Sequence, residues 1–340
     1  MQKARNVPKA ISVKNLTKIY GNGFKAVDDI SFEVNEGEIF GLLGPNGAGK
    51  TTTIKILTTM IKQASGSAEV AGRNVNANPK EVRQVVSYVP QAISVDGDLS
   101  AYENLLVFGK LFYVNRSDLN SRIESALEYM GLSGRKDDLA KHFSGGMMRR
   151  LEIAQALVNR PKVMILDEPS LGLDPSSKKQ IVDYIKKVNK EFQTTVLITT
   201  HDMMEADELC DKIAIMNAGR ISIIGAPQEL KKSVGGDVIT ITLSKGSSVA
   251  QVLGISIPLI LGNIASNDGS TLKIVCENGE HAIPRLLEYF EKNSLSVDAI
   301  SLSKPTLDDA FMKYAKASLD SSRDYGDTRA TRRSFARRSS

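Results

Sequence analysis

Gly44-Pro45-Asn46-Gly47-Ala48-Gly49-Lys50-Thr51 spaces its glycines, a lysine and a hydroxyl in the pattern GxxxxGK[ST], which cradles phosphate. Glycines let successive backbone N–H groups turn inward around an anion, and a helix starting near Gly49 would add its positive end. Lys50 supplies a compact charge for β- and γ-phosphates, and the Thr51 hydroxyl suits Mg²⁺. Further along, Val163-Met164-Ile165-Leu166 runs directly into Asp167-Glu168. An acid at the C-terminal end of a buried parallel strand stands at the sheet edge where ligands bind. There Asp167 can hold Mg²⁺ through water, while Glu168 can polarise an attacking water as general base.

A second anion-ready loop follows a different logic. In Phe143-Ser144-Gly145-Gly146-Met147, a serine and two glycines stand immediately before a helical stretch, again offering N–H groups and a hydroxyl. One phosphate site needs only one such loop. A second suggests a composite site shared between two copies.

The elements that would position these residues are legible in outline. Ile11 and Val13, then Ile30, Phe32 and Val34, alternate as half-buried strands do, separated by the turn residues Gly21-Asn22-Gly23. Ile39-Phe40-Gly41-Leu42-Leu43 runs apolar without alternation, as a strand buried on both faces would. A helix is expected over Thr51–Ile61. Residues 98–160 have mainly helical spacing, with Ser117-Asp118 offering an N-cap. Val163–Leu166 and Val196–Thr199 read as strands flanking a helix with Ile181, Ile185 and Val188 on one face, which implies a parallel sheet with crossovers. Ile213–Met216 and Ile221–Ile224 read as a hairpin. Beyond residue 236 the spacing predicts a small α+β domain. Its strands are expected at Val238–Leu243, Thr271–Cys276 and Leu295–Ser303, and a helix at Ala282–Lys292 turns Ile283, Leu286, Leu287 and Phe290 inward. A last helix is expected over Thr306–Ala317.

Taken together, these motifs resemble the ATP-binding subunit of an ATP-binding-cassette (ABC) transporter, over about Ala10 to Leu230. The resemblance implies an α/β P-loop NTPase cassette with a mixed sheet core, an antiparallel β region and a helical subdomain at about 92–160. It implies a cassette domain over 1–230; spacing and composition add an accessory α+β domain over 236–318 and a disordered basic tail over 319–340. It also implies ATP and Mg²⁺ as ligands, held by Gly44 to Thr51 with Thr52. Tyr20 matches the aromatic that stacks on adenine, and Gln91 in Tyr88-Val89-Pro90-Gln91 the glutamine that touches Mg²⁺ and senses the membrane partner. Ser144, Gly145 and Gly146 match the signature loop that reaches the γ-phosphate bound to the opposite protomer. Asp174, in Leu171-Gly172-Leu173-Asp174, matches the loop crossing the dimer interface, and His201 the switch histidine that joins Lys50 and Glu168 in catalysis.

The variant Ser-Gly-Gly-Met followed by Met-Arg-Arg-Leu-Glu is similar to the daunorubicin-resistance type of drug-exporter ATPases. So is Lys304-Pro305-Thr306-Leu307-Asp308-Asp309-Ala310-Phe311 near the other end. The family reading adds that this end helps assembly with the membrane partner. Locally, Pro305 stops a strand and Thr306 can cap the helix that follows. Phe143 and Met147 depart from the commoner Leu-Ser-Gly-Gly-Gln, so any hydrogen bond from a terminal glutamine is lost while the contacting serine and glycines remain.

Composition constrains the rest. The 340 residues carry 44 Lys+Arg against 39 Asp+Glu, a net +5, with 41% hydrophobic and 24% charged residues. This excludes a mostly disordered or collagen-like chain. Residues 321–340 hold six arginines and two aspartates, so +4 belongs to this stretch and the remainder is nearly neutral. Nucleic-acid binding is not expected from such a balance, whereas the basic stretch can lie on anionic lipid or simply solvate the chain. Cys210 and Cys276 lack CxxC spacing and read as buried, inert thiols in a reducing compartment. Polar residues, glycines and a proline interrupt the most apolar stretch, Val249–Ala265, so no spanning helix is expected. The expectation is therefore a cytoplasmic ATPase, peripheral on the inner face of the cell membrane, which pairs with a second copy head to tail and drives a separate multi-spanning permease. The permease would hold the transported substrate. The competing class is a soluble cassette ATPase acting on nucleic acid or ribosomes. It is disfavoured by a single cassette and by the lack of sustained heptads between the phosphate loop and the acidic pair.

Overall fold

A computed structural model describes residues 8–244, 263–268, 271–293 and 295–314. The chain divides into two compact units, the second running from Gln228 to Lys313. In the first, β1 (Lys9–Ile19) and β2 (Lys25–Asn35) pair antiparallel. Alternation along β2 turns Ile30, Phe32 and Val34 inward. β3 (Ile39–Leu43) leads into α1 (Lys50–Leu57). β4 (Ser65–Val70) and β5 (Arg73–Asn74) complete an antiparallel sheet of order β2-β1-β4-β5.

After α2 (Pro79–Val85) comes β6 (Val86–Val89). Three helices follow: α3 (Ala101–Leu111), α4 (Arg116–Tyr129) and α5 (Gly145–Val158). The chain then re-enters the sheet as β7 (Val163–Asp167), α6 (Pro175–Phe192), β8 (Thr195–Thr200), α7 (Met203–Leu209), β9 (Lys212–Asn217) and β10 (Arg220–Gly225). The second sheet has order β10-β9-β3-β8-β7-β6. All its pairings are parallel except the β9–β10 hairpin. Every residue of β3, β7 and β8 is buried, around the apolar runs Ile39–Leu43, Val163–Leu166 and Val196–Ile198. Stacked rings of Phe32 and Phe40, 5.4 Å apart, join the two sheets within one core.

The second unit is an antiparallel sheet of order β12-β13-β11-β14, formed by β11 (Asp237–Leu243), β12 (Asn263–Asp268), β13 (Thr271–Cys276) and β14 (Val297–Ser303). The helix Gly279–Lys292 buries Leu286 and Phe290 against Ile239, Ile241, Leu272 and Ile274. Residues 307–314 are helical.

Several local expectations need correction. The helix after the phosphate loop ends at Leu57 rather than Ile61, because the Thr58 hydroxyl donates to the Ile54 carbonyl and Thr59 turns left-handed at φ 65°. Asn115, not Ser117-Asp118, caps α4, its side chain accepting from the Ser117 N–H. Leu287 faces outward, because Ala282, Leu286 and Phe290, four residues apart, set the inward face and Leu287 stands about 100° round the axis from Leu286; the helix itself starts at Gly279, capped by Asn278. A fourth strand, β12, joins the three expected in the second unit. Cys210 and Cys276 are both buried free thiols, and burial pushes each thiol pKa up. Among the described residues no helix is long and apolar enough to cross a membrane. The expected tail, residues 319–340, and most of Val249–Ala265 lie outside the described residues.

Candidate functional site

The phosphate loop spans the turn from β3 into α1 and is shaped by packing as well as by its ligand chemistry. A Cβ on Gly44 would stand 2.2 Å from the Met216 carbonyl oxygen. Gly49 takes φ +106° at the N-cap of α1, and a Cβ there would lie 2.4 Å from the Ala26 carbonyl. Both positions therefore exclude a side chain. The Lys50 amine is buried and donates to the Gly44 carbonyl at 2.5 Å and the Pro45 carbonyl at 3.3 Å. It also lies 3.6 Å from Glu168 Oε1.

The two acids at the end of β7 diverge because their backbones do. Asp167 completes the strand, and its Oδ1 accepts from the Thr199 hydroxyl at 2.5 Å. The hydroxyls of Thr51 and Tyr88 each reach its Oδ2 at 3.4 Å. Burial, with the Asp167 charge beside it, pushes the Tyr88 phenol up to about 12. Glu168 turns left-handed at φ 52°, a conformation that costs a non-glycine residue energy and needs support. Thr199 supplies the support: its carbonyl and its hydroxyl both accept from the Glu168 N–H, at 3.0 and 3.2 Å. The turn swings the Glu168 carboxylate toward Lys50 on one side and His201 on the other, whose Nδ1 lies 2.7 Å from Oε2.

A surface cleft gathers Tyr20, Phe24, Ala26, residues 45–52, Gln91 and Glu168. Tyr20 stands at its mouth, its hydroxyl 3.4 Å from that of Thr52. Of the predicted residues, Tyr20, Pro45, Asn46, Gly47, Ala48, Gly49, Lys50, Thr51, Thr52, Gln91 and Glu168 thus share one site. Gly44, Asp167 and His201 join it through Lys50, Thr51 and Glu168. Ser144, Gly145, Gly146 and Asp174 do not line the cleft. They form a second cluster, in which Ser144 caps α5 by accepting from the Met147 N–H and Asp174 caps α6 by accepting from Ser177. The second cluster is tight, for a Cβ on Gly146 would lie 2.7 Å from Ser177 Oγ.

Sequence reasoning passed over four residues here. Phe24 lines the cleft from the same turn as Tyr20, whose N–H donates to the Phe24 carbonyl at 2.9 Å, but it is the lone apolar residue of that polar turn, and Thr199 stands at the end of an apolar run. Arg149 and Glu152 entered only within the run Met-Arg-Arg-Leu-Glu, with no role of their own, yet both are buried and bound to the loop carrying Gln91.

The donor set suits Mg²⁺. Thr51, Asp167 and Gln91 offer hard oxygen ligands, and no group of three His, Cys, Asp or Glu among the described residues forms a protein-only metal site.

Comparison with known proteins agrees with the geometry. Residues 27–171 match the model of the ABC transporter family, and residues 225–315 that of the ATP-binding protein DrrA1-3-like C-terminal domain. The daunorubicin/doxorubicin resistance ATP-binding protein DrrA of Streptomyces peucetius is 36% identical over 311 residues, covering 89% of this chain and 92% of that one. The linearmycin resistance ATP-binding protein LnrL of Bacillus subtilis is 33% identical over 303 residues, covering 89% and 97%. Among solved structures, cbiO1 from Clostridium perfringens, part of the ABC transporter complex cbiONQ, superposes with a TM-score of 0.62 at 28% identity, covering 66% of this chain and 93% of that one. The ATP-binding cassette MJ0796, in a dimeric post-hydrolysis state bound to ADP and Pi, superposes with a TM-score of 0.57 at 26% identity, covering 64% and 98%.

Proposed function

This chain belongs to the ATP-binding subunits of ABC transporters, homologous to drug-resistance exporter ATPases, and it hydrolyses ATP; from that premise we propose that it does so between two head-to-tail copies seated on a separate multi-spanning permease. The observation that carries the dimer is the separation of the two anion-ready loops. Lys50, Gln91 and Glu168 line one cleft, whereas Ser144, Gly145 and Gly146 stand outside it, next to the start of α6. A second copy placed head to tail brings its signature loop to the γ-phosphate that this chain's cleft holds. Asp174, beside the signature loop, then lies at the contact between copies.

Within each site, the amides of the phosphate loop and the start of α1 cradle the phosphates, and Tyr20 stacks on the adenine with Phe24 beside it. Lys50 exchanges its loop carbonyls for β- and γ-phosphate oxygens. Thr51, Gln91 and Asp167 would hold Mg²⁺, which would supply positive charge against the phosphates. Glu168, held by Thr199 and His201, takes the proton of the water that attacks the γ-phosphorus as its bond to the β,γ-bridging oxygen breaks and ADP leaves, and His201 donates toward the γ-phosphate. Residues 1–230 carry this chemistry and 236–318 serve assembly. The cleft of Met60, Val86, Tyr88, Phe108 and Phe112, bordered by Thr58 and Arg83, offers the permease a mainly apolar surface, with the chain peripheral on the cytoplasmic face. The arginines of residues 321–340 suit anionic headgroups.

Glu168→Gln tests the reading directly. The variant should bind ATP with ordinary affinity, lose about 10²-fold or more in kcat, and accumulate as an ATP-bound dimer in sedimentation. Unchanged hydrolysis removes Glu168 from its role, and a monomer at saturating ATP removes the dimer. Recovery from detergent-solubilised membranes should bring a multi-spanning protein with it. Ribosomes or DNA in its place would favour the soluble alternative.

A further inference from the structure

The loop that carries Gln91 is gripped by two side chains of α5. The Arg149 guanidinium donates from Nη1 to the Pro90 carbonyl and from Nη2 to the Gln91 carbonyl, each at 2.7 Å. Nη1 also donates to Glu152 Oε2 at 2.8 Å. The other carboxylate oxygen, Oε1, accepts from the Ser94 N–H at 2.5 Å and from its hydroxyl at 3.0 Å. Arg149 and Glu152 are only 3% and 2% exposed. A planar fork can serve successive carbonyls in this way, and a lysine's point charge cannot. The grip falls on the main chain of Gln91, leaving its side chain to line the nucleotide cleft. Between the two tethers lie Ala92 and the half-exposed Ile93.

The same helix begins at the Ser144 cap. Arg149 lies five residue steps on from Ser144, about 7.5 Å along a helix axis, so less than two rigid turns join the signature loop to the clamp. We propose that Arg149 and Glu152 are positioning residues that lock the Gln91 loop to α5, so that the loop facing this chain's own ATP and the signature serving the second copy's ATP move as one lever. The proposal rests on the dimer reading above. It assigns the coupling of the two sites to a buried ion pair that touches neither nucleotide. Burial pushes the Glu152 carboxyl pKa up, with Arg149 and Ser94 pulling the other way, as a charge confined to this cage requires.

The test uses the full chain. Arg149→Gln and Glu152→Gln keep much of the volume but each breaks part of this five-bond grip. Each should bind fluorescent ADP within about threefold of the parent, since the phosphate loop is untouched, while kcat falls about 10²-fold, the scale for misplaced reacting groups. The Hill coefficient for ATP hydrolysis should fall toward 1. In the Glu168→Gln background, the ATP concentration needed for dimerisation should rise at least about tenfold. Arg149→Lys, which can reach one carbonyl, should recover part of kcat without a change in melting temperature.

Unaltered kcat and dimerisation in a folded variant overturns the proposal. So does a parallel fall of ADP affinity, kcat and melting temperature, which would mark a plain packing contact. If Arg149→Gln does not fold, Glu152→Gln decides. If Glu168→Gln alone fails to dimerise with ATP, the dimer reading falls, and the comparison of kcat with ADP affinity still decides the clamp.

Discussion

Asp167 and Glu168 are neighbours with separate tasks, and the difference comes from one φ angle and one threonine. Thr199 donates to the first acid and accepts from the N–H of the second, so both orientations depend on a side chain that never reaches the cleft. Thr199→Val keeps the β-branched shape that the strand favours and removes only the hydroxyl. It should lower stability by about 1–3 kcal/mol, because Asp167 Oδ1 loses its donor in a buried place. It should also reduce kcat more than ADP affinity. Urea unfolding and an ADP titration check the pair, and unchanged values for both would contradict the role. Lys50→Ala should abolish most ATP binding, as the one amine in the cradle disappears. Ordinary affinity in that variant would leave the phosphate-loop reading without its main charge.

Element ends matter because most of the site residues stand at one. Ser144, Asp174 and Asp202 are the N-caps of α5, α6 and α7. Asp202 Oδ1 accepts from the amides of Met204 and Glu205 while Oδ2 accepts from Lys178 at 2.8 Å. Burial alone would raise its carboxyl pKa, but Lys178 and the two amides outweigh it and hold the group below its ordinary 3.8. A depressed acid contributes stability that is present above the unfolded value and is lost as pH falls through the folded one. Asp202→Ala should cost about 1 kcal/mol at neutral pH through the lost cap. Asp202→Asn should keep much of the cap and flatten the loss of stability below pH 4. Equal acid slopes for wild type and the Asn variant would count against this. The buried strands were readable because β3 and most of β7 are apolar runs and β8 is built around Val196-Leu197-Ile198, and a run needs no partner to be recognised. The Asn115 cap was not, because Ser117-Asp118 offers equivalent chemistry and only the path of the incoming chain chooses between them. The clamp on Gln91 was invisible for a similar reason. Arg149 and Glu152 sit three apart, as exposed helix pairs often do, and only the fold brings residues 90–94 over them.

At the scale of the molecule, every residue lining the cleft belongs to the first unit. Hydrogen exchange with saturating ADP should therefore slow in residues 44–57 and 86–94 and leave β11 and β13 of the second unit unaltered. Protection appearing first in those strands would show that nucleotide is held elsewhere. The sheet has a further consequence, in time rather than in space. Ile39 of β3 lies beside Val196 of β8, about 157 residues later in the chain, and Leu43 lies between Thr200 and Ile215. Such distant parallel pairings form late. At a synthesis rate of about 5–20 residues per second, the finished Gly44–Thr51 run waits about 10–30 s for its neighbours to leave the ribosome. A nascent or truncated chain that carries the whole phosphate motif thus presents unpaired apolar strand and no nucleotide site, which makes the early half of this protein a natural client for chaperones.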